Sequence, residues 1–337
     1  MKKALITGIT GQDGRYLVEY LIGLGYEVWG MVRRSSDSRS IQEIKKISEH
    51  INLRYGDMTD AISLRSIIKE SMPDLIFNLA AQSHVRISFD IPEYTAQVNG
   101  VGVIHLLDVV KEISPGSRVY HASTSELFGS SPPPQNESTP LCPRSPYGIA
   151  KLQAYWEIIN YRESYNLFSC QGMLFNHESP HRGENFVTRK ITKAVARYVT
   201  KKQKVLYLGN LDSKRDWGFA GDYVKAMYKI INHVVPDNFV IATGETHTIR
   251  EFLEQSFKFA GINVISDGKK GLDECYVDSK TGEVVVSIDP RLYRPTEVDV
   301  LCGDYTKAKT LLGWKPEVTF HQLVEMMVKA DIDKESA

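Results

Sequence analysis

Short apolar runs alternate with amphipathic stretches through the first half of the chain. The runs at 3–7, 27–32, 51–55, 74–80, 118–123 and 168–175 are bounded by turn-forming residues and predict strands. Between them, 14–24, 60–70, 95–113 and 146–165 repeat their apolar residues at helical spacing. This β-α-β-α rhythm predicts an α/β fold: a Rossmann-type, doubly wound parallel sheet covered by helices on both faces. After Asn176 the rhythm loosens. Residues 176–185 are polar and carry Pro180 and Gly183, which predicts a loop. Helices are expected at 186–200, 222–233 and 249–260, strands at 205–208 and 239–243, and a loop at 209–217. The charged, Gly-containing stretch 267–283 predicts an excursion over the surface.

Composition narrows the classes of function. Lys plus Arg and Asp plus Glu are both 41, so no overall charge favours nucleic acid or an anionic membrane. No apolar stretch approaches the ~20 residues of a membrane span, and no charged-apolar-small signal opens the chain, so a soluble cytoplasmic protein is expected. Cys142, Cys170, Cys275 and Cys302 are scattered, which suits reduced thiols serving as small apolar side chains. His84 and His177 belong to no ligand-spaced cluster, so no metal is expected.

Gly8-Ile-Thr10-Gly11-Gln12-Asp13-Gly14 follows the first predicted strand and opens the first helix. Glycines there allow a tight turn, close approach of backbone to a pyrophosphate, and close helix–strand packing. Three glycines can also make a plain turn; their place at the start of a βαβ series favours dinucleotide binding. The second strand ends Arg33-Arg34-Ser35-Ser36, where an NAD site usually presents an acid to the ribose 2′-hydroxyl. Two guanidiniums and two hydroxyls suit a 2′-phosphate instead, so NADP is the expected cofactor. Asp57 ends the third strand within reach of an adenine amino group, and Leu79-Ala80-Ala81-Gln82-Ser83 follows the fourth with mostly small residues. Residues 1–176 thus read as the NADP-binding domain, with 211–245 packing back on it. Residues 177–337 read mostly as a smaller, interleaved domain for the substrate.

The chemistry concentrates in Thr124-Ser125-Glu126, at the end of the fifth strand, and in Tyr147 and Lys151 at the start of a helix. A tyrosine and a lysine four apart share a helix face, and an ammonium beside the phenol would lower a pKa normally about 10. Such a tyrosine is a base for a hydroxyl proton near neutral pH. With 17 tyrosines, chance spacing to a lysine is unsurprising, but the preceding Pro-Arg-Ser-Pro turn delivers a helix start. Glu126 adds a second acid/base group, beyond what a simple hydride transfer requires.

The Gly-x-x-Gly-x-x-Gly turn, the hydroxyl residue ending the fifth strand and the Tyr-x-x-x-Lys pair resemble the extended short-chain dehydrogenase/reductase family, over nearly the whole chain. The segments Asn176-His-Glu-Ser-Pro180, Lys214-Arg-Asp-Trp-Gly218 and Tyr293-Arg-Pro-Thr-Glu297 narrow the likeness to its sugar-nucleotide 4,6-dehydratases, and imply GDP-mannose as substrate. The resemblance implies further cofactor contacts at Thr10, Gln12, Asp13, Met58, Tyr94, His177 and Arg182. It implies substrate contacts at Ser83, Asn176, Lys190, Arg215, Arg294 and Glu297, though each of these cations taken singly could form a surface salt bridge. It assigns Tyr147 the C4 hydroxyl proton, Thr124 a hydrogen bond to O4, Lys151 the nicotinamide ribose, and Glu126 the elimination of water. It also implies a homodimer or homotetramer. An epimerase or 4-keto reductase on the same scaffold needs Tyr147 and Lys151 but not Glu126. A non-catalytic NADP-binding sensor would need none of the four.

Overall fold

The computed structural model describes residues 1–34, 39–292 and 300–337. The first unit runs β1 (Lys3–Thr7), α1 (Gln12–Gly23), β2 (Glu27–Val32), α2 (Arg39–Ile47), β3 (Asn52–Tyr55), α3 (Ala61–Ser71) and β4 (Leu75–Asn78). Two short helices follow, α4 (Val85–Ser88) and α5 (Pro92–Ala96), then α6 (Gly102–Ile113), β5 (Arg118–Ala122), α7 (Pro146–Tyr165) and β6 (Ser169–Leu174). These strands and a seventh, β11 (Asn238–Ile241), lie in one sheet in the order β11-β6-β5-β4-β1-β2-β3, with every pairing parallel.

Both sheet faces are buried, as a parallel sheet requires. Ala4 and Ile6 point into one core with Leu17, Val18 and Leu21 of α1. Leu5 points into the other with Ile67 and Ile68 of α3 and Leu106 and Leu107 of α6. The order reverses between β1 and β4, so a crevice opens at the carboxyl ends of these strands, where such sheets bind ligands.

Beyond β6 the chain leaves and returns. β7 (Asn176–Glu178) and α8 (Val187–Val199) lead to β8 (Leu206–Leu208) and β9 (Lys214–Arg215). β10 (Trp217–Phe219) pairs in parallel with β7, and α9 (Ala220–Ile231) then packs against α1. β11 (Asn238–Ile241) adds the seventh strand beside β6. The second unit is completed by β12 (His247–Thr248), α10 (Ile249–Phe259), β13 (Val264–Ser266), β14 (Cys275–Asp278), β15 (Val284–Ile288), α11 (Thr306–Leu312) and α12 (Phe320–Ser336). Its core joins α8, α10 and α12 to the four-stranded sheet β13-β14-β15-β8. Phe320, Leu323, Val324, Met327 and Val328 of α12 recur on one helix face in that core, each contributing about 1.5–3 kcal/mol on burial.

Several expectations change: 176–185 and 209–217, expected as loops, hold β7 and β9. The predicted helix 95–113 is interrupted by a π-turn at Gln97–Val101. There the buried Asn99 accepts from Gln82 N and donates to Gln82 O, both at 2.8 Å, tying the segment to the loop after β4. The stretch 267–283 is no mere excursion, because β14 lies within it. Tyr276 is 1% exposed in the core, its hydroxyl donating to Glu254 and accepting from Arg250, both at 2.8 Å. Among the described residues no helix is long and apolar enough to cross a membrane.

Candidate active site

The glycine turn is shaped by close approach. Gly8 has φ +69°, and a Cβ on it would lie 2.8 Å from Ala80 N; a Cβ on Gly14 would lie 2.3 Å from Ile9 O. Neither position admits a side chain. Gly11 caps α1 without a side-chain hydrogen bond, so the first N–H groups of the helix stay open to an anion. The turn fits a dinucleotide pyrophosphate on these grounds. Thr10 is half-buried between the glycines, away from the cleft wall.

Gln12 and Asp13 line the cleft, and their side chains are also bonded to β7 and the loop after it. Gln12 Nε2 donates to His177 O at 3.0 Å, and Gln12 Oε1 accepts from Ser179 Oγ at 2.8 Å. Asp13 Oδ2 lies 2.9 Å from His177 Nε2. His177 Nδ1 is 2.8 Å from Phe175 O, so both ring nitrogens face acceptors and imidazolium satisfies both. Burial opposes charge on this pair, yet the partners prevail: Asp13 titrates below the usual carboxylate value and His177 above the usual imidazole value.

Farther along the sheet rim, Arg33 and Arg34 are exposed at the end of β2, and Arg33 donates to the hydroxyl of Tyr94. Ser35 and Ser36 lie outside the described residues. Asp57 Oδ1 accepts from Thr59 N and Oγ1, each at 2.9 Å, and Met58 is buried beneath α6. After β4, Thr7 Oγ1 accepts from the N–H groups of Leu79 and Ala80 at 3.2 and 3.1 Å. Leu79, Ala81 and Ser83 line the cleft. Ala80 backs the glycine turn, and the Gln82 side chain is bonded to His84 and Thr95.

Thr124, Glu126, Tyr147 and Lys151 meet on the wall of one cleft of about 390 Å³ and are 7%, 7%, 8% and 2% exposed. Thr124 ends the extended segment after β5 and caps a short 3-10 turn, its Oγ1 accepting from Glu126 N at 3.2 Å. Ser145 caps α7, accepting from Gly148 N at 3.0 Å, and Pro146 fills the first helical turn. These two starts fix where Glu126 and Tyr147 stand.

The electrostatics correct one expectation. Tyr147 is pushed up to about 12, chiefly by burial; a hydrogen bond with Thr124 opposes this and the Glu126 charge adds to it. Lys151 is pulled down to about 7 by burial. Its Nζ donates to Ala122 O at 2.7 Å, a neutral carbonyl of β5, while the phenol stays above its ordinary value.

On the substrate side, Asn176, Lys190 and Arg215 line the same cleft. Burial pulls Lys190 below its usual value, and Arg215 is 5% exposed in β9. Arg182 lines it too, ion-paired to the buried Glu178 at 3.0 Å with its guanidinium 3.6 Å above the Phe186 ring. Arg294 and Glu297 lie outside the described residues. Sequence reasoning passed over Ser123 and Ser213, which line the cleft with buried hydroxyls that have no hydrogen-bond partner among the described residues, and the same holds for Asn176 Oδ1. A serine carries no spacing signal; only the fold brings these two to the cleft.

A family profile described as GDP-mannose 4,6 dehydratase matches residues 5–327. The chain is 53% identical to a Homo sapiens protein named GDP-mannose 4,6 dehydratase, over 98% of this chain and 91% of that one. It is 49% identical to a Yersinia enterocolitica protein named GDP-mannose 4,6-dehydratase, over 99% and 95%. In fold it resembles a Thermotoga maritima UDP-glucose 4-epimerase solved with UDP-glucose, with TM-score 0.82 and 24% identity over 99% of both chains.

Proposed function

The chain belongs to the GDP-mannose 4,6 dehydratase family, and from that membership we infer that its cleft dehydrates GDP-mannose to GDP-4-keto-6-deoxymannose by internal redox. The observation that carries this reading is the burial of Glu126 beside Thr124, Tyr147 and Lys151 on one cleft wall. The glycine turn would hold NADP, with Arg33 and Arg34 suited to its 2′-phosphate, and when bound it would supply the hydride acceptor and then the donor.

Tyr147 takes the proton of the C4 hydroxyl while Thr124 holds O4. With the phenol at about 12 in the protein alone, it needs a cation as it ionises. Lys151, poised near 7, gains a proton readily once an anion forms nearby. The C4 ketone acidifies C5–H. Glu126 removes that proton and delivers one to the departing C6 hydroxyl, so water leaves and a C5–C6 double bond forms. As C6 is reduced, C5 takes a proton from Glu126 once that group has been reprotonated from solvent, and the proton Tyr147 took from the C4 hydroxyl is released, so the count closes. Asn176, Lys190 and Arg215 would hold the diphosphate, with Arg294 and Glu297 completing the sugar-nucleotide site.

An epimerase or 4-keto reductase would leave Glu126 without work, and a binding-only sensor would not need Tyr147. Purified protein given GDP-mannose without added NADPH should accumulate the 4-keto product. Glu126→Gln should abolish that accumulation while GDP-mannose still binds; unchanged product formation would remove Glu126 from the mechanism. We also propose a homo-oligomer, supported by Ile149 and Trp156, 59% and 58% exposed and two turns apart on α7.

A further inference from the structure

β7 and the loop after it are gripped from two sides. Arg189 Nη1 donates to the carbonyls of Pro180 and, at 3.1 Å, Arg182, while its Nε and Nη2 bind Asp331 of α12 at 2.6–3.0 Å. That side belongs to the second unit. The other side is the first turn of α1, where Gln12 and Asp13 hold His177 and Ser179 across 164 to 167 residues of sequence. Ser179 is fully buried, and the His177 ring stacks on Tyr223 of α9 with centroids 4.5 Å apart.

The joined segments line different parts of one cleft. Gly8, Gly11 and Gly14 belong to the α1 side; Asn176, Arg182 and Lys190 belong to β7, the loop after it and α8. We propose that Gln12, Asp13, His177 and Ser179 form a clasp that couples the two ligand sites. A dinucleotide on the glycine turn and a GDP-sugar against the loop each raise the protein's affinity for the other. This rests on the functional reading above. The four side chains are positioning residues, acting through one another. A ligand that orders the loop from one side lowers the ordering cost for the ligand on the other. Releasing the clasp leaves the loop tethered through Arg189 and Asp331, so each ligand should still bind alone.

The test uses GDP as a non-reacting probe, titrated calorimetrically into the whole protein freed of dinucleotide and into protein saturated with NADP+. Wild-type protein should bind GDP about fivefold or more tightly when NADP+ is present. Asp13→Asn should bring that ratio toward one while GDP affinity without NADP+ stays within about twofold, a pattern that general loosening of the fold would not give. Ser179→Ala removes one hydroxyl and no charge; it should reduce the ratio too, and decides the matter if Asp13→Asn does not fold. A ratio of one in the wild type, or an unchanged ratio in the variants, overturns the clasp. GDP failing to bind wild-type protein in either state overturns the functional reading and the clasp with it.

Discussion

Tyr147 with Lys151 and Asp13 with His177 are two sets of buried ionisable groups on one cleft, and burial acts on them with opposite results. Tyr147 rises and Lys151 falls, so both move toward neutrality. Asp13 falls and His177 rises, so both move toward charge. The difference lies in the nearest partner. Lys151 donates to a neutral carbonyl, which cannot replace the hydration an ammonium loses. Asp13 and His177 face each other at 2.9 Å and replace it mutually. The first set is therefore ready to change charge when an anion forms beside it, and the second is fixed. A proton-transfer site and a positioning contact need those opposite properties.

The comparison breaks most visibly at Tyr147. Tyr147→Phe removes the base and should lower kcat roughly 10²–10⁴-fold, measured as 4-keto product in single turnovers; a loss under about tenfold would assign the proton to another group. Lys151→Met should also lower turnover strongly, yet leave the melting temperature equal or higher, because a poorly compensated ammonium has been removed. Lys151 also sets a pH trend. It titrates near 7 folded and near 10.5 unfolded, so between those values the unfolded chain binds more protons and stability rises with pH. Urea unfolding of dinucleotide-free protein should show that rise, and Lys151→Met should flatten it.

His177 runs the other way. Its folded value lies above the usual 6.5, so its contribution is complete below 6.5 and fades as pH rises through the folded value. Asp13 contributes above its usual 3.8 and loses that contribution as pH falls through its lowered folded value. His177→Asn should remove stability mainly between those limits, and a uniform loss at all pH values would falsify the ion pair. The smallest effect belongs to the exposed Arg33. Arg33→Ala should weaken NADP+ relative to NAD+ by about ten- to a hundredfold, the equivalent of one charged hydrogen bond, with kcat barely changed.

The sheet and most of its helices were legible because alternation is a local pattern, and most strands of the first unit are short apolar runs. β14 was not, since its charged surroundings hide the single buried Tyr276, whose partners Arg250 and Glu254 come from α10. At the site, the positions of Tyr147 and Lys151 follow from helical spacing. The direction of Lys151 does not, because its acceptor is the Ala122 carbonyl on another element. Gln12 and Asp13 read as cofactor residues from their place in the glycine turn; that their side chains face His177 and Ser179 depends on packing that no local pattern encodes.

The return of the chain through α9 and β11 bears on how the protein is made. β6 gains its outer neighbour only when 238–241 exist, and α9 is secured later still, when Trp314 Nε1 donates to Asp222 O at 2.9 Å. On the ribosome, the outer flank of β6 and the face of α1 that α9 covers must wait for most of the chain. A transcript truncated near residue 176 would release a sheet with an open, hydrophobic border, prone to pair with other nascent chains.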